Sequence, residues 1–391
     1  MKTLKFHARI WPSFVLVFLV LGMFSSMAAR QDRKERLRLV HAKDAESYER
    51  NGKLIRKFVG GVVFEQGQMK LFCDELYNYH REEEYLLLGH VRIQDADYKL
   101  VADSAQYFAK TKVFQAYGTV HLLSDDSQLD ANQVTYYQAE KRAVAENNVK
   151  IVDHKQHVEI TGQKAELQRR QNYTKMTGEP VLIQYDSTGR EEMRIVGESM
   201  ESFEQGKRFE IKHDVKITRD STVATCNLAT YMSEAETIEL QENPIAINGR
   251  DKIIGEKMLL QLHEKKLQYI LVTGKSKFTS PPDSLIKEQV DENYLTGQSI
   301  QLFFVDNEVN KVQVSGTATS VYHVVNEKGI YQGENWAQGD TIIISIVNKS
   351  IDRIKIKSNP GSSQGKFTPP ELAKADSVKA GKKEIINSVL Q

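Results

Sequence analysis

The sequence predicts an all-β protein built from eight or nine two-strand antiparallel repeats. A nine-residue pattern recurs every 29 residues: LFCDELYNY at 71–79, LVADSAQYF at 100–108 and LDANQVTYY at 129–137. A fixed interval of this length is typical of repeat architectures. Apolar and polar residues alternate between the copies, which is the period of a strand with one buried face. Each copy also has a small residue near its start, where a strand bends or another backbone comes close.

The second part of each repeat begins with an apolar residue, followed by a small residue two positions later and a polar one at three. An apolar residue follows at five and often an aromatic one at eight. Copies begin at Leu71, Leu100, Leu129, Ile160, Ile195, Val223, Ile253 and Leu295, with a weaker ninth at Ile330. The small residues are Cys73, Ala102, Ala131, Gly162, Gly197, Thr225, Gly255 and Gly297. From Leu129 onward the steps are 31, 35, 28, 30 and 42 residues, so the interval loosens along the chain.

The first part of each repeat is a turn-tolerant residue followed by two apolar residues in alternation. The pairs are Val62/Phe64, Val91/Ile93, Val120/Leu122, Val149/Ile151, Val181/Ile183, Val215/Ile217 and Ile245/Ile247. One two-strand repeat cannot bury its apolar face alone, but eight or nine stacked repeats can. On the residues alone this inward row is first of all a hydrophobic core. At about 4.8 Å per strand, nine repeats would stack to about 85 Å, which predicts an elongated molecule.

The N-terminus predicts export. MKTLKFHAR is basic, residues 14–24 are apolar, and Ser26 and Ala28 are small, which together form the pattern of a signal peptide over residues 1–28. The alternative is an uncleaved membrane anchor over residues 11–29. We expect a lead-in at 29–52, repeats at 53–279, a loop insertion at 280–294 and further repeats at 295–358. A Pro/Gly/Ser linker and polar tail follow at 359–391.

Composition and motifs argue against several functional classes. Lys and Arg number 53 against 52 Asp and Glu, and this balance predicts no nucleic-acid partner. Cys73 and Cys226 are the only cysteines, so we expect buried free thiols and no disulfide framework. No phosphate-binding loop or nucleophile elbow occurs. His154 and His157 have no third metal ligand nearby in the sequence.

The polar position of the repeat could suggest the general acids and bases of a polysaccharide-cleaving β-helix. Its members are Asp74, Asp103, Asn132, Gln163 and Glu198. A position that faces solvent or a turn explains this series better, because the residue type drifts from carboxylate to amide. We therefore predict no catalytic site, no cofactor and no metal.

Repeats of the form G-x-V-x-I … L-x-[AGC]-D-x-A-x-Y after an exported N-terminus resemble the LptA/OstA family of lipopolysaccharide-transport proteins. In particular, they resemble the long OstA-like members of the Bacteroidota type. VSGTATSVYHV at 314–324 is similar to their later repeats, and GKFTPP at 365–370 to their proline-marked end. The resemblance covers about residues 38–370.

The resemblance implies a β-jellyroll, or β-taco, whose apolar interior holds the acyl chains of lipopolysaccharide. It also implies edge-to-edge docking with other Lpt-type jellyrolls, and a periplasmic bridge from the inner to the outer membrane. The lipid-binding residues would then be Val62, Phe64, Val91, Ile93, Val120, Leu122, Val149, Ile151, Val181, Ile183, Val215 and Ile217.

Three alternatives stay open at this point. The chain could be an inner-membrane-anchored, LptC-like component of the same machine. It could be a structural β-solenoid stalk with a packed interior. The third alternative is a polysaccharide-active β-helix.

Overall fold

The computed structural model describes residues 38–370 except 67, 95–98, 124–126, 155–156, 205–206, 220, 233, 264–265, 283–285, 287–289, 306–307, 327–329 and 348–349. These residues form 26 β-strands, and a 3-10 turn lies at Arg169–Gln171. No helix in this part of the chain has the length and hydropathy needed to cross a membrane. The predicted signal peptide or anchor and the tail beyond residue 370 lie outside the described residues.

The chain divides into two compact units. Among the described residues the division falls after Val215, except that Thr230–Glu234 belong to the first unit and Lys216–Ala229 to the second. The strands of the first unit are β1 (Arg38–His41), β2 (Asp44–Arg50), β3 (Lys53–Gln66), β4 (Met69–Tyr79), β5 (Glu84–Gln94), β6 (Lys99–Phe108), β7 (Val113–Leu123), β8 (Ser127–Tyr137), β9 (Arg142–Asp153), β10 (Val158–Gln168), β11 (Tyr173–Thr177), β12 (Val181–Tyr185), β13 (Glu191–Val196) and β14 (Ser199–Phe203).

Two strands contribute residues to both units, β15 (Arg208–Arg219) and β16 (Thr222–Met232). The remaining strands belong to the second unit: β17 (Thr237–Gln241), β18 (Ile245–Asn248), β19 (Asp251–Ile254), β20 (Lys257–His263), β21 (Lys266–Ser280), β22 (Asn293–Val305), β23 (Glu308–Val325), β24 (Tyr331–Val347), β25 (Ser350–Lys357) and β26 (Gln364–Thr368).

The 29-residue interval is the length of one antiparallel hairpin. The first residue of each early copy lies directly opposite an apolar residue of the next strand: Leu71 opposite Ile93, Leu100 opposite Leu122 and Leu129 opposite Ile151. Directly opposed residues of an antiparallel pair share one face of the sheet. The apolar positions of successive repeats therefore fall on one common face, and the predicted all-β antiparallel fold class is confirmed.

Most repeats bend at a pair of residues with positive φ. The pairs are Gly60–Gly61, Gly89–His90, Asn147–Asn148, Gly178–Glu179, His213–Asp214, Glu242–Asn243, Gly274–Lys275 and Gly316–Thr317, while Gly118 has positive φ alone. In β5 this pair adds one residue relative to β6, because Leu88 pairs with Ser104 and Val91 with Ala102. Such a β-bulge bends the strand and restarts its alternation. We call each of these features a left-handed bend.

Apolar residues next to the bends form a continuous row across the first unit, which we call the core row. Its members lie opposite one another strand by strand and are at most 8% exposed: Leu76, Leu87, Ala105, Ala116, Val134, Ala145, Ala165, Met176, Met200 and Ile211. The face that carries this row and the buried valines Val62, Val91, Val120 and Val149 is called the inner face.

The second unit repeats this arrangement, and its longest strands, β21 to β24, have 13 to 18 residues. Its row of opposed residues is at most 1% exposed and consists of Leu240, Met258, Val272, Ile300, Val314 and Ile342. Residues 281–292 connect β21 to β22, and Ser280 pairs with Asn293 where the two strands meet this connection. Each unit therefore has its own apolar inner face.

Candidate functional site: the apolar inner face

The inner face of the first unit includes most of the residues that the sequence analysis assigns to a groove. Val62, Val91, Val120 and Val149 follow the left-handed bends and are at most 1% exposed. Two residues farther along each strand lie Phe64, Ile93, Leu122 and Ile151, which are 2–7% exposed. Ile93 lies opposite Leu71 and Leu100, and Leu122 lies opposite Leu100 and Leu129. The structure therefore brings these eight residues onto one apolar surface.

A second row lies on the same side of the bends as the core row, two residues farther from them. It is therefore separated by the bends from Val62, Val91, Val120 and Val149. Its directly opposed members are Tyr85, Tyr107, Phe114, Tyr136, Ala143, Leu167, Thr174, Ser202 and Phe209. No member of this row is among the residues that the repeat pattern predicts to bind lipid. The available signal is the 29-residue interval itself, because Phe114 and Ala143 recur at the same point of successive repeats.

The prediction that Val181 and Ile183 point toward the inner face is wrong. Leu182 lies opposite Ile160, and Ile160 lies opposite Ile151, so Leu182 occupies the inner face. Leu182 is 7% exposed, whereas Val181 and Ile183 are half-buried on the opposite face. The phase of β12 is set by the left-handed bend at Gly178–Glu179, because the first residue after a bend points inward.

That first residue is Pro180, which is buried. The same shift occurs after the bend at Glu242–Asn243, where Pro244 is buried and Ile247 is 40% exposed. The expected inward pair Ile245/Ile247 is therefore also out of phase by one residue. Proline tolerates this place because the first position of a strand needs no ladder N–H.

The repeat at Val223 starts one residue later than the sequence analysis places it. Cys226 is 6% exposed and Thr225 is exposed, so Cys226 is the small inward residue of this repeat. The backbone N–H of Asn227 donates to the Glu242 carbonyl at that repeat's bend. With Ala224 as its first residue, the repeat begins 29 residues after Ile195 and 29 before Ile253.

The last predicted inward pair, Val215/Ile217, follows the left-handed bend at His213–Asp214. Val215 is 1% exposed, and Ile217 is half-buried. Both residues share one face by the alternation of β15.

Side chains at the polar position of the repeat form hydrogen bonds with residues of the neighbouring bend. Asp103 Oδ2 accepts a hydrogen bond from the backbone N–H of Thr119 at 3.0 Å, and a Cβ on Gly118 would overlap the Asp103 carboxylate. Asp74 Oδ2 lies 2.7 Å from His90 Nδ1, and this hydrogen bond raises the pKa of His90. Asn132 Oδ1 accepts from the Asn148 side chain at 3.0 Å. These groups are exposed and engaged with the neighbouring bend, so they are structural.

The histidines and cysteines form no reactive centre in the part of the chain that the structure describes. No group of three or more His, Cys, Asp or Glu side chains there could hold a metal ion. His157 lies in a turn with a φ of 57°. Cys73 and Cys226 are free and buried, as expected. Burial raises the pKa of the Cys73 thiol to about 12 and that of Cys226 to about 11, so neither is a reactive thiolate.

The chain is similar to known proteins over part of its length. Residues 81–176 match the family model described as OstA-like protein. No curated protein matches the chain. The crystal structure of LptH, the LptA homologous periplasmic component of the conserved lipopolysaccharide transport device from Pseudomonas aeruginosa, is similar with 15% identity and a TM-score of 0.29. That similarity covers 38% of this chain and 95% of LptH.

The family match spans β5 to β10 and most of β11, all in the first unit. The match confirms, for residues 81–176, the resemblance to the LptA/OstA family that the repeats predict.

Proposed function

We propose that this protein binds lipopolysaccharide through its acyl chains on the inner face and carries it from the inner toward the outer membrane. One observation carries the proposal: in an OstA-like segment, Val, Ile and Leu side chains form an unbroken apolar surface across successive strands. Burial of an acyl chain stabilises a complex by about 0.8 kcal/mol per CH₂, so such a surface provides affinity without catalytic chemistry.

The second row is where we expect the acyl chains to lie. Core-row residues such as Ala105 and Ala116 are 0% exposed, which leaves no room beside the bends. Tyr85, Tyr107 and Phe114, in contrast, remain half-buried. The rings of Tyr85 and Tyr107 stack with their centroids 6.2 Å apart, which gives the second row a flat apolar surface.

Site-specific photo-crosslinking in living cells tests the proposal. A photoreactive phenylalanine derivative at Phe114 replaces one aromatic ring by another, and Gln115, the next residue along the strand, points to the opposite face and serves as the control. A second pair uses Leu122 on the inner face and His121, whose ring hydrogen-bonds Asp130 at 2.6 Å on the opposite face. We expect lipopolysaccharide adducts at Phe114 and Leu122 and none at Gln115 or His121.

A structural stalk with a packed interior is the second candidate. It is favoured by the complete burial of Val62, Val91 and Val120, which are 0% exposed. If folded, correctly exported variants gave no adduct at Phe114 or Leu122, the stalk would replace the transport proposal. Adducts on both faces in equal yield would equally contradict a lipid-specific inner face.

The proposed location is the periplasm, with the N-terminus either cleaved after Ala28 or retained as an inner-membrane anchor. The apolar run at residues 14–24 supports both forms. The intact mass of the protein purified from cells distinguishes them, because an anchored, LptC-like protein keeps residues 1–28.

We also propose edge-to-edge docking with other Lpt-type jellyrolls. Leu39 and Val40 of β1 are 38% and 46% exposed, and Ile351 of β25 and Phe367 of β26 are 40% and 53% exposed. Exposed apolar residues on a strand at the edge of a sheet are suited to pairing with a strand of another protein. Photo-crosslinking from Val40 and Phe367, followed by mass spectrometry of the adducts, identifies such partners.

A further inference from the structure

Two hydroxyl side chains interrupt the second row of the first unit. Thr174 of β11 lies directly opposite Leu167 on one side and Ser202 on the other, and Ser202 lies opposite Phe209. The corresponding row of the second unit is aliphatic throughout, with Ile238, Leu260, Ile270, Leu302, Val312 and Ile344 in opposed positions. The hydroxyl pair is therefore a local departure from an apolar pattern.

Both hydroxyls are buried and have no hydrogen-bond partner within the described protein. Thr174 is 6% exposed and Ser202 is 5% exposed. Neither Thr174 Oγ1 nor Ser202 Oγ makes a hydrogen bond to another protein group. A buried, unpaired hydroxyl is unfavourable for folding, and valine and alanine would fill the same space without that penalty. The pair thus has unused hydrogen-bonding capacity within an otherwise apolar row.

The surroundings of the pair are apolar and uncharged on the inner face. Met176 and Met200 lie opposite each other one step closer to the bend, and methionine side chains adapt readily to a flexible chain. The nearest carboxylate along the chain, Glu201, points to the opposite face, where Lys175 and Lys212 hold it at 3.0 and 2.8 Å. The site therefore suits a neutral oxygen group and not an anion.

We propose that Thr174 and Ser202 form a polar subsite that hydrogen-bonds a hydroxyl group carried by a bound acyl chain. This inference rests on the proposed function, because it requires an acyl chain on the inner face. A hydroxyl both donates and accepts hydrogen bonds, so it can pair with both side chains at once. The flanking Leu167 and Phe209 contact the methylenes on either side. Among lipids with acyl chains, the subsite would therefore favour those whose chains carry a hydroxyl group.

The test compares two probes that differ only in this hydroxyl: tetradecanoic acid and 3-hydroxytetradecanoic acid. Their dissociation constants are measured for the full chain and for the double variant Thr174→Val/Ser202→Ala. The control Thr177→Val/Ser199→Ala removes the same two hydroxyls from the same two strands. Thr177 and Ser199 lie opposite each other on the other face.

We expect the unmodified protein and the control to bind the hydroxylated acid about fivefold more tightly than the plain acid, as one net hydrogen bond provides. In the double variant this preference should disappear while the plain acid still binds. A preference that survives in the double variant would overturn the subsite and leave acyl binding intact. Failure of the unmodified protein to bind either acid would overturn the proposed function as well.

Urea unfolding without lipid supplies a second readout. Because the double variant removes two unpaired buried hydroxyls, its unfolding midpoint should rise above that of the unmodified protein. A fall in the midpoint would show that the hydroxyls stabilise the free fold, and it would contradict a role in ligand binding.

Discussion

At the scale of single residues, several of the bends depend on a close contact between a glycine and the polar residue of the preceding strand. Gly118 has a φ of 91°, and Asp103 occupies the space where a side chain at that position would begin. Gly61 has a φ of 67°, but no atom lies within 4 Å of where its Cβ would be. A comparison of substitutions at these two glycines therefore separates the cost of backbone strain from the cost of steric overlap.

We predict that Gly118→Ala destabilises the protein more than Gly61→Ala. Both variants force alanine into the left-handed region, at a cost of about 1–2 kcal/mol. Gly118→Ala also displaces the Asp103 carboxylate and breaks its hydrogen bond to Thr119, which adds about 1–3 kcal/mol. Urea unfolding measures both free energies. Equal losses in the two variants would show that the Asp103 contact contributes nothing.

The phase of β12 gives a second prediction at this scale. Leu182→Ala should cost about 2–5 kcal/mol in the free energy of unfolding, because it opens a cavity on the inner face. Val181→Ala should cost less than about 1.5 kcal/mol, because Val181 is half-buried on the opposite face. Chemical denaturation of the two variants under one set of conditions checks the order. A larger loss for Val181→Ala than for Leu182→Ala would show that Val181 points inward, as hydrophobicity alone predicts.

At the scale of elements, the sequence predicts strands well wherever the interval stays at 29 residues. From Val62 to Ile151 the alternation and the bend agree, so the inward residues follow from the pattern. After two of the bends, the first inward residue is a proline, Pro180 or Pro244. A prediction from hydrophobicity alone therefore places the inward residues of these strands one position too late. Backbone φ decides the phase there. The Thr174–Ser202 pair could not be predicted from the sequence either, because it depends on which residues of β11 and β14 lie opposite each other.

Glu201 links three strands on the face opposite the inner face. Its carboxylate accepts hydrogen bonds from Lys212 of β15 and Lys175 of β11, at 2.8 and 3.0 Å. Burial by itself would raise the pKa of Glu201, but the hydrogen bonds and charges of the two lysines outweigh burial and lower it. A lowered folded-state pKa means that this cluster stabilises the fold at neutral pH. That contribution is lost as the pH falls from about 4.5 through the folded-state pKa.

We therefore predict that Glu201→Gln lowers stability at pH 7 and flattens the loss of stability below about pH 5. Urea unfolding at a series of pH values measures this dependence. The control Glu191→Gln removes an exposed carboxylate that is paired with Arg194, and solvent screening should leave its profile close to that of the unmodified protein. Parallel profiles for Glu201→Gln and the unmodified protein would contradict the role of the lysine cluster.

At the scale of the whole molecule, the balance of charge distinguishes two modes of lipid binding. The 53 basic and 52 acidic residues give a formal net charge of +1. Many of the charges are also paired across strands, as in Lys150–Glu159 and Lys164–Glu146, both at 2.7 Å. Long-range attraction of an anionic head group is therefore weak, and burial of acyl chains on the inner faces should dominate the affinity.

Two thermodynamic signatures follow from the proposed binding of lipopolysaccharide. Raising NaCl from about 0.05 to about 0.5 M should change Kd by less than about threefold, because apolar burial is not screened by salt. Titration calorimetry at several temperatures should give a negative heat-capacity change, the signature of apolar burial. Phe114→Ala should weaken binding about tenfold, as loss of part of a phenylalanine contact does. Lys164→Gln on the opposite face should leave Kd unchanged. A steep loss of affinity with salt and a heat-capacity change near zero would instead locate binding on the charged surface and remove the inner face from the mechanism.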